Sequence, residues 1–95
     1  MYYSKKDYQL VEFKRGTAKY KKYKAILENI ETGSKVSVHF GDVRYQQYKD
    51  STGMGLYTRL NHGDDKRRKN YRSRHKKHVR EDYYSPSWFS YYYLW

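Results

Sequence analysis

The last thirteen residues, "YYSPSWFSYYYLW" at 83–95, constrain the fold most strongly, because eight of them are aromatic. The 95-residue chain has only fifteen Leu, Ile, Val and Phe residues in total, which is few for an ordinary apolar core. A single buried aromatic side chain removes about 150–250 Å² from water. We therefore expect one small folded domain in which rings, including many of the fourteen tyrosines, replace the missing aliphatic volume.

The aromatic tail predicts a short helix that starts with Ser85 as the N-cap and Pro86 as the first helical residue. Helical spacing then puts several of its rings on one face. These rings are expected to fill the domain's own core. The alternatives are that they bind in a partner's groove or stack on nucleic acid bases. The residues expected to form this aromatic core or interface are Tyr71, Trp88, Phe89, Tyr92 and Trp95.

A β-hairpin is predicted between residues 22 and 40. Val36, Val38 and Phe40 alternate with polar residues, which is typical of a half-buried strand, and Gly33 suits the tight turn before them. A third strand is predicted at 8–13. The fold class is therefore α+β, a β-hairpin or three-stranded antiparallel sheet packed by a basic helix and the short aromatic helix. Residues 1–22 are interpreted as a basic N-terminal arm with a possible strand, and residues 23–95 as a single small domain.

The stretch that follows the hairpin predicts a second short helix and then an ordered loop. Asp42 can cap a helix over 43–49, in which Val43, Gln47 and Tyr48 face inward. Residues 50–60 contain two glycines within "STGMGL", a stretch that lacks the spacing and the lysine of a phosphate-binding loop. We expect this loop to be structural.

A strongly basic helix is predicted over residues 64–80. Asp64 and Asp65 suit its N-terminus, where the helix dipole favours negative charge, and nine of the fifteen residues at 66–80 are Lys or Arg. Tyr71, His75 and Val79 recur at intervals of four and form one narrow, less polar stripe. The remaining surface of this helix is charged.

The net charge of +11 points to a polyanionic partner: a nucleic acid backbone, an anionic membrane surface or an acidic protein face. A second basic patch at 14–24 holds six cations and no acid, and its tyrosines give it the composition of a single-strand binding surface or a flexible arm. The cations expected to contact the partner are Lys19, Lys21, Lys22 and Lys24 in this patch and Lys66, Arg67, Arg68, Lys69, Arg72, Arg74, Lys76 and Lys77 in the helix.

No catalytic residue, metal site, cofactor or small-molecule substrate is predicted. His75 and His78 could share a helix face, but neighbouring cations oppose a metal ion there. Asp64 and Asp65 beside His62 are explained by the helix N-terminus rather than by a nuclease centre. The absence of cysteine excludes disulfides, and no apolar run is long enough to cross a membrane. The start lacks a signal-peptide pattern, so we expect an intracellular protein.

Three segments, "KVSVHFGDVRYQQYKD", "HGDDKRRKNYRSRH" and "YYSPSWFSYYYLW", resemble a family of small basic uncharacterised proteins of large nucleocytoplasmic DNA viruses. The resemblance covers about residues 23–95. The matching positions are Phe40, Gly41, Tyr45 or Tyr48, Asp50, His62, Asp64, Arg67, Tyr71, Arg74, His75, Ser85, Pro86, Trp88, Phe89, Ser90, Leu94 and Trp95. It implies a viral protein, located in the virion and, before assembly, in the cytoplasm or nucleus of the infected cell.

Two functions stay open. The first is a non-enzymatic structural protein of the virus particle, a minor capsid component that docks through its basic surface on larger coat proteins or other virion proteins with acidic faces. The alternative is a sequence-nonspecific nucleic-acid-binding protein that contacts DNA or RNA phosphates with the 64–80 helix and the 14–24 patch. Asn70 is the one amide of the helix suited to reading a base edge, so specificity is expected to be low.

Overall fold

The computed structural model describes residues 3–79 and 83–95 and confirms the predicted α+β fold. A three-stranded antiparallel sheet in the order β1-β2-β3 is followed by a long loop and two helices. The elements are β1 (Tyr8–Arg15), β2 (Lys21–Asn29), β3 (Lys35–Asp42), a single 3-10 turn (Thr58–Leu60), α1 (Asp65–Val79) and α2 (Pro86–Tyr93).

The predicted hairpin is β2 and β3, and its turn is built as expected. Tyr23 pairs with Phe40, and Leu27 with Val36, so the apolar side chains of both strands share one face of the sheet. At the turn, Gly33 has φ +75° and its N–H donates to the Asn29 carbonyl at 2.9 Å. Only glycine adopts this φ without steric cost.

The strand predicted at 8–13 is β1, which continues to Arg15 and pairs along β2. Phe13 places its ring edge-on to Phe40 at 5.7 Å and to Tyr93 at 4.7 Å between centroids. These are favoured aromatic geometries. The strand within the basic N-terminal segment is therefore part of the sheet and of the core.

Helix α2 begins as predicted and covers the apolar face of the sheet. The Ser85 hydroxyl accepts from the Trp88 N–H at 3.1 Å, and Pro86 opens the helix. Phe89 is fully buried and stacks on Phe40 with ring centroids 5.3 Å apart. Leu94, just beyond the helix, is also buried.

The aromatic face expected of α2 is only partly correct. Phe89 and Tyr91 are its buried residues, whereas Trp88 and Trp95 are half-buried and Tyr92 is 47% exposed. Trp88 and Tyr92 pack on each other along the outer flank, with centroids 4.9 Å apart. Phenylalanine has no hydroxyl to satisfy, so it occupies the position against the sheet, while a tyrosine at the rim keeps its hydroxyl near water.

Helix α1 packs on α2, which in turn covers the sheet. Tyr71 of the predicted stripe forms this contact. Tyr71 faces Trp95 and Tyr91, with His75 beside it at 4.3 Å between ring centroids. The side chain of Val79, the third member of the stripe, lies outside the described residues.

The helix predicted over 43–49 is not present; turns and one isolated bridge occupy this segment. Gln47 explains the difference. Its main chain bonds Leu60 and His62, and its buried side-chain amide donates to the Tyr57 carbonyl at 2.9 Å and to Asn61 Oδ1 at 2.6 Å. The main-chain bonds occupy the N–H and C=O of Gln47, which would otherwise form the hydrogen bonds of a helix.

The same loop closes the end of α2. The amides of Tyr48 and Lys49 donate to the Leu94 carbonyl at 3.0 and 3.1 Å, and that of Ser51 donates to the Tyr93 carbonyl at 2.8 Å. These bonds satisfy carbonyls that a helix end leaves without partners. The loop is thereby fixed between β3, α2 and the start of α1.

Candidate polyanion-binding surface

Asp64, the residue just before α1, caps the helix. Asp64 Oδ1 accepts from the main-chain N–H of Lys66 at 3.0 Å and from that of Arg67 at 3.2 Å. His62 Nδ1 in turn accepts from the Asp64 N–H at 2.9 Å. Burial and the nearby Arg67 guanidinium lower the pKa of His62, which favours its neutral form. This arrangement fits helix capping, as the sequence indicated.

No group of three or more metal-ligating side chains could hold an ion within residues 3–79 and 83–95. His78, one member of the pair considered from the sequence, has a side chain outside the described set.

Two arginines of α1 face inward and hold the aromatic tail. The Nε atoms of Arg68 and Arg72 donate to the main-chain oxygen of Trp95 at 2.9 and 3.2 Å. The Arg72 guanidinium also lies over the Tyr91 ring at 4.5 Å, and that of Arg68 lies over the Tyr48 ring at 4.7 Å. Each Arg–ring contact is a cation–π interaction. These two residues were predicted to bind the partner, but part of their hydrogen-bonding capacity holds the fold.

The other predicted cations of α1 are exposed. In the described part of the chain, ion pairs occur only between Lys14 and Glu12 and between Arg44 and Asp42, so none neutralises this helix. A row of like charges without counter-charges is unfavourable unless an anion lies close by. The exposed members are Lys66, Arg67, Lys69, Arg74, Lys76 and Lys77.

Lys22 was predicted to contact the partner, and this is corrected by its burial: only 2% of the residue is exposed. Its ammonium group donates to the Tyr45 carbonyl at 2.9 Å and to the Gln47 side-chain oxygen. Burial lowers its pKa to about 8, although the carboxylates of Asp42 and Asp50 act in the opposite direction. The alternation of polar and apolar residues along β2 did not predict this burial, because a lysine near the end of a strand is expected to be exposed.

The remaining cations of the first patch border the open face of the sheet. Lys24 pairs across the strands with Lys14 on one side and His39 on the other, which makes one row of basic residues. Burial, Lys24 and Lys21 together lower the pKa of His39. Like charges placed directly opposite each other destabilise a sheet. Lys19 and Lys21 are exposed near this row.

Residues 42–46 connect the two basic patches, and sequence reasoning missed their role. The Arg44 guanidinium bonds both carboxylate oxygens of Asp42 and lies over the Tyr20 ring at 4.3 Å and over the Tyr45 ring at 5.8 Å. Hydrogen bonds from Arg44 lower the pKa of Asp42 to about 2. The segment had been interpreted as a helix, so Arg44 and Tyr45 were not recognised as joining the patches.

A groove of about 860 Å³ lies between this segment, α1 and the end of α2. Arg67 and Arg74 line it from α1, and Asn70 lies between them. Arg67 also donates to the side chain of Gln46 across the groove at 2.9 Å. Its lining residues are Lys22, Gly41, Asp42, Tyr45, Gln46, Arg67, Asn70, Tyr71, Ser73, Arg74, Ser90, Leu94 and Trp95.

A family model matches residues 11–75, and on this match the chain belongs to the Family of unknown function (DUF5754). The matched region contains most of β1, the rest of the sheet, the long loop and most of α1, and it ends before the aromatic tail. Neither the curated proteins nor the solved structures provide a significant match. Within the described residues, neither helix is long and apolar enough to cross a membrane.

Proposed function

We propose that this protein is a non-enzymatic binding protein that contacts the sugar-phosphate backbone of a nucleic acid without reading its sequence. The observation that carries the proposal is the surface of α1. Its exposed lysines and arginines have no ion-pair partner among the described residues, and the groove and the open sheet face carry further cations beside them. Phosphates supply the counter-charges that such a surface lacks.

The test is binding to DNA titrated over salt, with two triple variants of equal charge. The variant Lys69→Gln, Lys76→Gln and Lys77→Gln neutralises the outer side of α1, whereas Lys5→Gln, Lys6→Gln and Lys49→Gln removes the same charge elsewhere. All six lysines are exposed, so both variants are expected to fold.

We expect wild-type affinity to fall steeply between about 50 and 200 mM salt. In a plot of log affinity against log salt concentration, the slope of the α1 variant should be shallower by about 0.9 for each duplex phosphate contact removed. The control variant should retain nearly the full slope. An affinity that is insensitive to salt, or equal losses in both variants, would contradict the proposal.

A second candidate function is a minor capsid component of a large DNA virus particle, docked on coat or other virion proteins with acidic faces. The exposed flank of α2 favours it, because Tyr92 is 47% exposed beside Trp88, and Trp, Tyr and Arg dominate protein interfaces. The resemblance of the sequence to a family of proteins of large DNA viruses also supports a location in the virus particle. Mass spectrometry of particles separated into shell and genome fractions tests it: recovery with the shell supports docking, and recovery with the genome alone, or absence from particles, opposes it.

A further inference from the structure

The two basic patches and residues 42–46 form one surface strip that combines cations with exposed rings. We define this aromatic strip as Tyr20, Arg44 and Tyr45 together with Arg67 and Arg74 of the groove. We propose that the strip binds single-stranded nucleic acid, with an unpaired base stacked on Tyr45 and the flanking phosphates on Arg67 and Arg74. This inference rests on the proposed function, because it specifies which form of nucleic acid the protein binds.

Tyr45 is the most exposed large ring of the strip, with 65% of the residue accessible, yet its main chain is firmly held. The buried Lys22 ammonium donates to its carbonyl at 2.9 Å, and its own N–H donates to the Asp42 carbonyl at 3.1 Å. A ring presented on a fixed backbone loses little conformational entropy when a ligand stacks on it. Tyr45 is therefore placed as a stacking platform rather than as part of the core.

Tyr20 is held in a backbone conformation that suits glycine better. Its φ is +64°, and its carbonyl accepts from the Val43 N–H at 2.8 Å, which ties the β1–β2 turn to the strip. Lys19 and Arg44 both lie over its ring, at 5.0 and 4.3 Å from the centroid. Such strained residues occur disproportionately at functional sites. A flat guanidinium over an accessible ring extends the surface that a second base can cover.

The groove beside Tyr45 supplies the polar contacts of a nucleotide. Arg67 and Arg74 offer charged donors to phosphate oxygens, and the Asn70 amide between them can donate and accept at a base edge. Among the described residues, the one acid in the lining is Asp42, and it is already neutralised by the two bonds from Arg44. The groove therefore presents net positive charge next to an exposed ring.

This combination selects an unpaired strand. In a duplex the flat faces of the bases are stacked on one another, so only unpaired bases can lie on a protein ring. An acidic protein face would satisfy the arginines but would leave Tyr20 and Tyr45 without flat partners. Stacking on aromatic rings beside a basic groove is how proteins bind single strands without reading sequence.

The experiment compares, by fluorescence anisotropy, a single strand of about twelve nucleotides, a duplex of the same length and a poly-glutamate peptide. Each is titrated with the wild type, Tyr45→Ala, Tyr45→Phe and Tyr92→Ala. Tyr92 is the control, because it is also an exposed tyrosine, at 47% against 65% for Tyr45, and lies on the far flank of α2. Thermal melts check that all variants fold.

We expect the single strand to bind at least about tenfold more tightly than the duplex, and Tyr45→Ala to weaken single-strand binding by about 5- to 100-fold without changing duplex binding. Tyr45→Phe and Tyr92→Ala should bind the single strand like the wild type. If duplex and single strand bind equally and Tyr45→Ala changes neither, the inference fails while the proposed function stands. If neither nucleic acid binds, or if the peptide binds more tightly than both, the proposed function fails with it.

Discussion

The phenol ring of Tyr71 lies flat against the indole of Trp95, with ring centroids 4.3 Å apart and planes inclined by 8°. This stack joins the basic helix to the aromatic tail. The Nε atoms of Arg68 and Arg72 bond the main-chain oxygen of the same tryptophan. The orientation of the basic helix therefore depends on the packing of one ring from the end of the tail.

The first prediction is that Trp95→Ala loosens α1 more than it loosens the sheet. The substitution removes the rings' contact area and is expected to lower the free energy of unfolding by about 2–4 kcal/mol, since the indole is only half-buried. Hydrogen exchange should accelerate most in α1. Tyr92→Ala is the control and should change stability by less than about 1 kcal/mol. Equal acceleration in β2 and α1 would contradict the prediction.

The second prediction concerns which ring of the tail is the core residue. Phe89→Ala should lower the free energy of unfolding by about 3–5 kcal/mol, because the ring is fully buried against Phe40. Trp88→Ala should lower the free energy of unfolding by less, because the tryptophan side chain, although larger, is only half-buried. Urea denaturation of both variants measures which of them loses more stability. A larger loss for Trp88→Ala would show that the flank of α2 contributes more than its exposure indicates.

The third prediction separates backbone strain from packing at two glycines. Gly41 and Gly53 both have positive φ, +74° and +83°, so Ala at either position costs about 1–2 kcal/mol from the backbone alone. A Cβ at Gly41 would also lie 3.0 Å from Leu94 Cδ1 and 3.2 Å from Lys22 Cδ, whereas at Gly53 nothing lies within 4 Å. Gly41→Ala should therefore be the more destabilising variant in thermal or urea unfolding. Equal losses of stability in the two variants would mean that the tail, which contains Leu94, moves away from the added methyl group at no cost.

The fourth prediction is that stability rises with pH above about 8. Burial lowers the pKa of Lys22 in the folded protein to about 8 from an ordinary value of 10.5. Between these values the unfolded chain holds a proton that the folded protein has released, so raising the pH favours folding. Above about pH 10 the trend should reverse, because burial and the bond to Asp50 raise the pKa of Tyr23 to about 12.

Urea denaturation at several pH values measures this effect, with Lys22→Met as the control. The variant keeps the stem but has no group that titrates, so its stability should not rise between pH 8 and 10. The same rise in the variant would assign the effect to another group.

The elements of the fold were predictable because local signals agree with the tertiary structure. Alternation at Val36, Val38 and Phe40 specified β3, and Ser85 with Pro86 specified the start of α2. The failure at 43–49 has a physical cause: Gln47 forms its bonds to Tyr57 and Asn61, which are distant in sequence. Local propensity contains no information about such partners.

The site was predictable in composition but not in arrangement. The charge of α1 was evident from the sequence, but whether a given cation faces water or the protein depends on packing. Arg68 and Arg72 face the tail, and Lys22 is buried beneath Tyr45. The link through Arg44 depends on the turn after Gly41, whose positive φ redirects the chain towards Tyr20. Spacing along the sequence cannot reveal that contact.

The position of α2 in the sequence has a consequence for folding during synthesis. The three strands are consecutive, so their hydrogen bonds can form while translation continues. Their apolar face stays uncovered until Phe89 and Leu94 arrive, after the long loop and all of α1 have been made. A nascent chain in which the three strands have emerged but the tail has not therefore presents a bare sheet flanked by unpaired strand edges, a state prone to self-association. Completion of the native state waits for the tail to leave the ribosome.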